Sequence, residues 1–139
     1  MSVTPQMGLF ERPARTESDR MASISRFVIM VSEAPYASLK PYTALRYAAS
    51  ARKRGLETRI IFFADGIFCV KRGVGRGSQT VGDFEAKVQG VMKEGILVQA
   101  CSAPMRLYAL MEEDLIEGVT VAEDVIAHTL DEQTKVIWL

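Results

Sequence analysis

The sequence predicts an α/β domain, a three-layer α/β/α sandwich around a mainly parallel sheet of about five strands. Three observations predict it. Short continuous apolar runs recur, Phe27-Val28-Ile29-Met30-Val31 the first of them, as expected of strands buried on both faces. Segments with a helical period separate these runs, so strands alternate with helices along the chain. Capping residues and glycines mark the changes of period, among them Gly55, Asp83 and Gly95.

Residues 1–25 read as a disordered tail, polar and of mixed charge, and residues 26–139 as the folded domain. After the first strand comes a loop over residues 32–38 with Pro35 inside it. A helix follows, with Pro41 in its first turn and Gly55 just past its end. Ala44, Ala48, Ala49 and Ala51 let it pack closely on a sheet, and Arg52, Lys53 and Arg54 suit the dipole of its last turn. Residues 58–63 form the second strand, ending in Ala64-Asp65-Gly66. The segment from there to Gly82 has no clear period.

Asp83 caps the next helix, whose Phe84, Val88, Val91 and Met92 share one face, and Gly95 ends it. The run Ile96-Leu97-Val98-Gln99-Ala100 is the third strand and leads directly to Cys101. A short helix is expected over residues 105–112, with Ser102 or Ala103 as cap and Pro104 in its first turn. Val119-Thr120-Val121 reads as a brief fourth strand and residues 122–132 as a helix. Residues 135–139 make the last strand, placed centrally in the sheet by Val136-Ile137-Trp138.

The chain has 139 residues, enough for one domain with one core. Its 17 basic and 17 acidic residues balance, which argues against a nucleic-acid-binding surface, so no direct nucleic-acid binding is expected. No apolar stretch approaches the roughly 18 residues a membrane span needs, and the first two dozen residues lack the apolar centre of a signal peptide. A cytoplasmic protein with no membrane association is the expectation, and its two cysteines are then reduced thiols. No Cys/His cluster has metal-ligand spacing, no Walker pattern occurs, and the first strand–helix turn lacks the Rossmann glycines. No metal and no cofactor are therefore expected.

Right-handed crossovers place the strand-end loops on one sheet edge, the edge where ligands collect in α/β folds. Those loops cover residues 32–38, 65–82, 101–104 and 115–118. Cys101 is the principal candidate: a thiol at a strand's carboxyl end, beside a helix N-terminus that favours the thiolate. A cysteine beside an apolar strand is as readily a small buried hydrophobe. The single histidine, His128, lies on a different helix and reads as half-packed, so no general base is evident and hydrolysis is weakly supported. Thiol exchange needs only an accessible thiolate and a docking surface.

Cys69 reads first as a packed cysteine near a turn, and second as a thiol that relays sulfur from Cys101. Gly73, Gly75 and Gly77, with Lys71, Arg72 and Arg76, read as a flexible, partly basic loop rather than a phosphate cradle. Glu112-Glu113-Asp114 is a solvated acidic stretch.

Three motifs in order resemble the DsrE/DsrF/TusD-like sulfur-relay family. The first is the strand and loop Val31-Ser32-Glu33-Ala34-Pro35-Tyr36. The second is the alanine-rich helix ending in Arg54-Gly55, followed by a strand that closes on Asp65-Gly66-Ile67. The third is Gly95-Ile96-Leu97-Val98-Gln99-Ala100-Cys101, with Asp114-Leu115-Ile116-Glu117-Gly118-Val119 downstream. The resemblance covers residues 26–139. It implies a cysteine after the third strand that carries sulfur as a persulfide, here Cys101, in a homo- or hetero-oligomer that exchanges sulfur with donor and acceptor proteins.

On that reading the backbone around Ser102, Ala103 and Met105 stabilises the sulfur anion. Pro35, Tyr36, Asp65 and Gly66 wall the pocket, and Cys69 is a candidate second thiol. Two alternatives stay open: a non-catalytic module of the same fold that binds a small molecule or a protein, and a two-cysteine thiol redox protein.

Overall fold

The structure is a computed structural model, and it describes residues 16–17, 23–75 and 83–139. Its five strands are β1 (Arg26–Val31), β2 (Glu57–Phe62), β3 (Leu97–Cys101), β4 (Thr120–Ala122) and β5 (Thr134–Trp138). They form one sheet in the order β4-β3-β2-β1-β5, and every neighbouring pair is parallel. Helices lie on both faces, giving the three-layer α/β/α arrangement expected from the alternating pattern.

Two helices cover the first face. α1 (Lys40–Lys53) starts with proline in its first turn and ends where Gly55 turns the chain at φ 84°. It buries Pro41, Ala44, Leu45, Ala48 and Ala51, and the alanines let its backbone approach the sheet. α2 (Phe84–Lys93) starts at Asp83, whose side chain accepts from Ala86 N at 3.1 Å, and ends before Gly95 at φ 91°. It buries Phe84, Val88 and Val91 against Ile60, Phe62, Val98 and Ala100. Full burial of side chains such as Phe62 and Phe84 stabilises the fold by about 1.5–3 kcal/mol each. The ends of α1 and α2 are tied by Arg52 Nε, which donates to Glu94 O at 3.2 Å.

The second face is more lightly covered. Val28, Met30 and Ile61 are buried there, with Phe63, Val125 and Val136 packed around them. Val125 comes from α4 (Val125–Thr129), a short helix capped by Asp124, which accepts from Ala127 N.

At the carboxyl ends of the strands, a 3-10 turn (Ala64–Cys69) follows β2, and α3 (Ser102–Leu107) follows β3. A second 3-10 turn (Glu112–Asp114) leads towards β4.

Several elements depart from the sequence expectation. The last strand is an edge strand, not a central one; Val136 and Ile137 are only partly buried, on opposite faces, and Trp138 is largely exposed. The helix expected over 105–112 begins immediately after Cys101, which is itself the cap, so neither Ser102 nor Ala103 plays that part. The helix expected over 122–132 shrinks to five residues because Ala122 pairs with β3 and Asp124 caps only at Val125. The expected N-terminal tail lies almost wholly outside the described residues, as do Arg76 and Gly77.

Candidate functional site

Alternation along β3 decides where Cys101 faces. Val98 and Ala100 enter the core beneath α1 and α2, so Leu97, Gln99 and Cys101 face the other side. Cys101 is a free, partly exposed thiol at the last position of the strand. Its β4 partner is Ala122, and on the β2 side the paired register ends at Phe62–Ala100, one residue before Phe63. Phe63 meets Trp138 edge to face, with ring centroids 5.8 Å apart. An aromatic pair therefore flanks this end of the second face.

Cys101 is the N-cap residue of α3, with φ −67° and ψ 133°. The opening N–H groups of a helix have no intrahelical acceptor, and Pro104 has no N–H to offer, so the backbone donors next to the thiol belong to Ser102 and Ala103. α3 has only six residues, so these individual N–H groups matter more than any macrodipole. Ser102 and Met105 are buried and anchor the turn, while Ala103 is exposed.

The Ala64–Cys69 turn packs on α3. Asp65 is exposed and accepts from the Tyr108 hydroxyl at 2.7 Å, while Tyr108 leans edge to face on Phe68 at 4.9 Å. The bond to Asp65 pushes the Tyr108 hydroxyl's pKa up. Gly66 is buried directly against the backbone of Val31.

Cys69 has a different setting. It is fully buried in the α1/α2 core, its thiol donates to Glu33 O at 3.2 Å, and burial pushes its pKa far up. Near it lies an aromatic group in which Tyr42 meets Phe84 at 4.9 Å and Tyr36 at 6.4 Å. The Tyr36 hydroxyl donates to Gly75 O at 2.6 Å, and Pro35 is buried next to it. The structure thus gathers Cys101, Ser102, Met105, Asp65 and Gly66 around α3, whereas Tyr36 and Cys69 belong to the group around Tyr42. Both cysteines are free.

The remaining candidates are held by other contacts. Gly73 N donates to Glu85 Oε1 at 2.8 Å, so a side-chain carboxylate already takes that backbone donor. Arg72 donates to Leu115 O through Nε and Nη2, tying its loop to the segment before β4. His128 accepts at Nε2 from Arg59 Nη1, 2.9 Å away, at the amino-terminal end of the sheet, and burial first and then Arg59 hold its pKa below the ordinary value. Among the described residues no group of three or more His, Cys, Asp or Glu is placed to hold a metal ion, and no helix is long and apolar enough to cross a membrane.

Phe63, Trp138 and Tyr108 were not singled out by the sequence. Phe63 carried a usable signal, as the last residue of an apolar run beside a strand-end turn. Tyr108 and Trp138 carried none, because their partners are remote in sequence.

Comparison with known proteins adds to this geometry. The chain is 35% identical over 99 residues to an uncharacterised protein of Methanopyrus kandleri, covering 71% of this chain and 80% of that one. It is 31% identical over 104 residues to an uncharacterised protein of Methanocaldococcus jannaschii, covering 73% of this chain and 90% of that one. In structure it is similar to the YchN protein of E. coli, with a TM-score of 0.72 and 21% identity over 84% of this chain and 100% of that one. A protein of unknown function from Methanobacterium thermoautotrophicum superposes with a TM-score of 0.61 and 19% identity, over 82% of this chain and 98% of that one. These two structural likenesses speak to the fold alone. The DsrE/DsrF-like family model matches residues 25–139, the whole of the sheet and its helices, and the chain belongs to the DsrE/DsrF-like family.

Proposed function

We propose that this protein is a sulfur carrier that accepts sulfane sulfur as a persulfide on Cys101 and passes it to a thiol of a partner protein. The observation that carries this reading is the contrast between the two thiols. Cys101 is partly exposed at the strand-end edge of a DsrE-like domain, whereas Cys69 is sealed in the core. Sulfur exchange needs a thiol that a second protein can reach, and only one of the two meets that requirement.

In the first step the Cys101 thiolate attacks the outer sulfur of a donor persulfide. The new bond is Cys101 Sγ–S; the donor's S–S bond breaks, and the donor leaves as a thiolate. The proton of the donor's terminal sulfur stays with the transferred atom. In the second step an acceptor thiolate attacks that atom, and Cys101 leaves as a thiolate. Sulfur changes carrier and no external oxidant or reductant is consumed.

The Ser102 and Ala103 N–H groups stabilise the Cys101 thiolate that attacks in the first step and leaves in the second. Asp65 and Gly66, held to α3 by Tyr108 and Phe68, wall one side, and the Phe63–Trp138 pair lines the approach. Met105 fixes the turn from beneath. Pro35 and Tyr36 shape the neighbouring loop, and Cys69 takes no direct part. The partners are a persulfide-bearing donor and an acceptor protein in the cytoplasm, met by a homo- or hetero-oligomer of this chain.

Intact-protein mass spectrometry after incubation with a small-molecule polysulfide tests the assignment. Wild type gains one sulfur atom that a reductant removes, and Cys101→Ser gains none. A reductant-labile sulfur that persists in Cys101→Ser overturns it.

A further inference from the structure

The amino-terminal edge of the second sheet face, away from Cys101, holds a cavity of about 250 Å³. Arg59 of β2 and His128 of α4 line it, together with Arg26, Glu57, Asp131 and Thr134 and the apolar Val28 and Leu97. Arg59 pairs in register with Leu97, four positions before Cys101, a separation of roughly 13 Å along the strand. The cavity is therefore distinct from the thiol's surroundings.

The unusual feature is the company Arg59 keeps. Its Nη1 donates to Gln99 Oε1 at 2.7 Å and to His128 Nε2 at 2.9 Å, both neutral acceptors. An arginine has no lone pair to offer, so the His128 nitrogen must be the acceptor and its proton sits on Nδ1. Among the described residues no carboxylate lies within ion-pair distance of Arg59. The carboxylates at the cavity are engaged elsewhere. Arg26 takes Asp131 at 2.5 Å and Glu57 at 3.4 Å; Asp131 also accepts from Thr134 Oγ1 and Gln133 N, and the Glu57 side chain is 69% exposed to screening solvent.

One guanidinium is therefore left half-buried with only neutral hydrogen-bond partners. Burial lowers its proton affinity, Arg26 adds to that effect, and Glu57 opposes it. A charge in that position gains most from an anion that can meet its planar fork of donors. Gln99 holds the fork in place, because its own amide donates to Thr120 Oγ1 at 3.2 Å.

We propose that this cavity binds a small carboxylate or inorganic oxyanion, with Arg59 as its anchoring cation. The volume lies below the roughly 300–1,000 Å³ typical of drug-sized sites, so the occupant is a compact anion. Among the described residues the Nε and Nη2 donors of Arg59 have no other acceptor and are left for the anion, and Val28 and Leu97 supply an apolar wall.

The test is a pair of NMR titrations of the full chain at constant ionic strength, one with acetate and one with inorganic phosphate. At least one anion is expected to give saturable amide shifts grouped on residues 57–59, 97 and 127–134. The tighter of the two identifies a carboxylate or a phosphate-like oxyanion as the natural class. Arg59→Gln should weaken that binding roughly tenfold or more, while Arg59→Lys retains part of it. Arg46→Gln, on the far side of the sheet, should leave it unchanged. Shifts that never saturate, that group elsewhere in the wild type, or that survive Arg59→Gln with a native spectrum overturn the proposal. The wild-type shift map decides the matter even if Arg59→Gln does not fold.

Discussion

Gly66→Ala tests how tightly the turn after β2 is built onto the sheet. A Cβ on Gly66 would lie 2.2 Å from the carbonyl oxygen of Val31 and 3.0 Å from its carbonyl carbon. No side-chain rotation relieves a clash with backbone, so turn and strand must separate by about 1 Å to restore van der Waals contact. Val31 is fully buried, and the same carbonyl accepts from Phe63 N at 2.9 Å. Losing that bond costs about 1 kcal/mol and overpacking the site a further ~1–3 kcal/mol. The lower chain entropy of alanine in the unfolded state returns about 0.4–1 kcal/mol. The net expectation is a loss of about 1–3.5 kcal/mol, which lowers the urea midpoint by roughly 0.5–2 M at the usual slope. Gly90→Ala is the matched control. Nothing lies within 4 Å of a Cβ at that helix position, so this variant should gain about 0.5–1 kcal/mol. A Gly66→Ala midpoint within about 0.3 M of wild type would refute the reasoning.

Three further outcomes follow from named contacts. Iodoacetamide should label Cys101 alone in the native protein and Cys69 only in denaturant, read by intact mass; comparable native rates at both would contradict the burial of Cys69. Among the described residues the buried Tyr42 hydroxyl has no partner at full hydrogen-bond geometry, Tyr36 being only a looser polar neighbour, so Tyr42→Phe should hold or raise stability by up to about 1 kcal/mol in thermal unfolding, and a clear loss counts against this. Asp131 titrates below its ordinary 3.8, chiefly because Gln133 N–H and the Thr134 hydroxyl donate to the carboxylate. With the folded pKa depressed, its contribution is present above the unfolded value and lost as pH falls through the folded one. A carbon-detected carboxylate titration should show that depressed midpoint, and Asp131→Asn should flatten the acid limb of the stability curve.

What the sequence revealed depended on how local each signal was. β1, β2 and β3 each carry a short apolar run, and α1 and α2 carry their own punctuation in Pro41, Gly55, Asp83 and Gly95, so neighbouring residues were enough to place them. β5 was legible as a strand but not as an edge, because Val136-Ile137-Trp138 reads the same whether its outer face is covered or open. The Ala64–Cys69 turn has no hydrophobic period to detect. In the candidate site, Cys101 was found from its position after a strand. The Tyr108–Asp65 bond and the Phe63–Trp138 pair join residues far apart in sequence. The Arg59–Gln99–His128 network was invisible for the same reason: its members are 40 and 69 positions apart.

The pairing of β1 with β5 also governs the order in which the chain can fold. Arg26 and Asp131, joined by an ion pair beside the β1–β5 ladder, stand 105 residues apart. Closing such a long loop comes late, after β1, β2 and β3 have had the chance to assemble beneath α1 and α2. Until β5 arrives, the outer edge of β1 presents unpaired backbone along Val28, Ile29 and Met30. That open, apolar edge is a template for pairing with other unfinished chains. Aggregation during refolding should therefore begin at β1, and anything that delays β5 will lengthen the exposure.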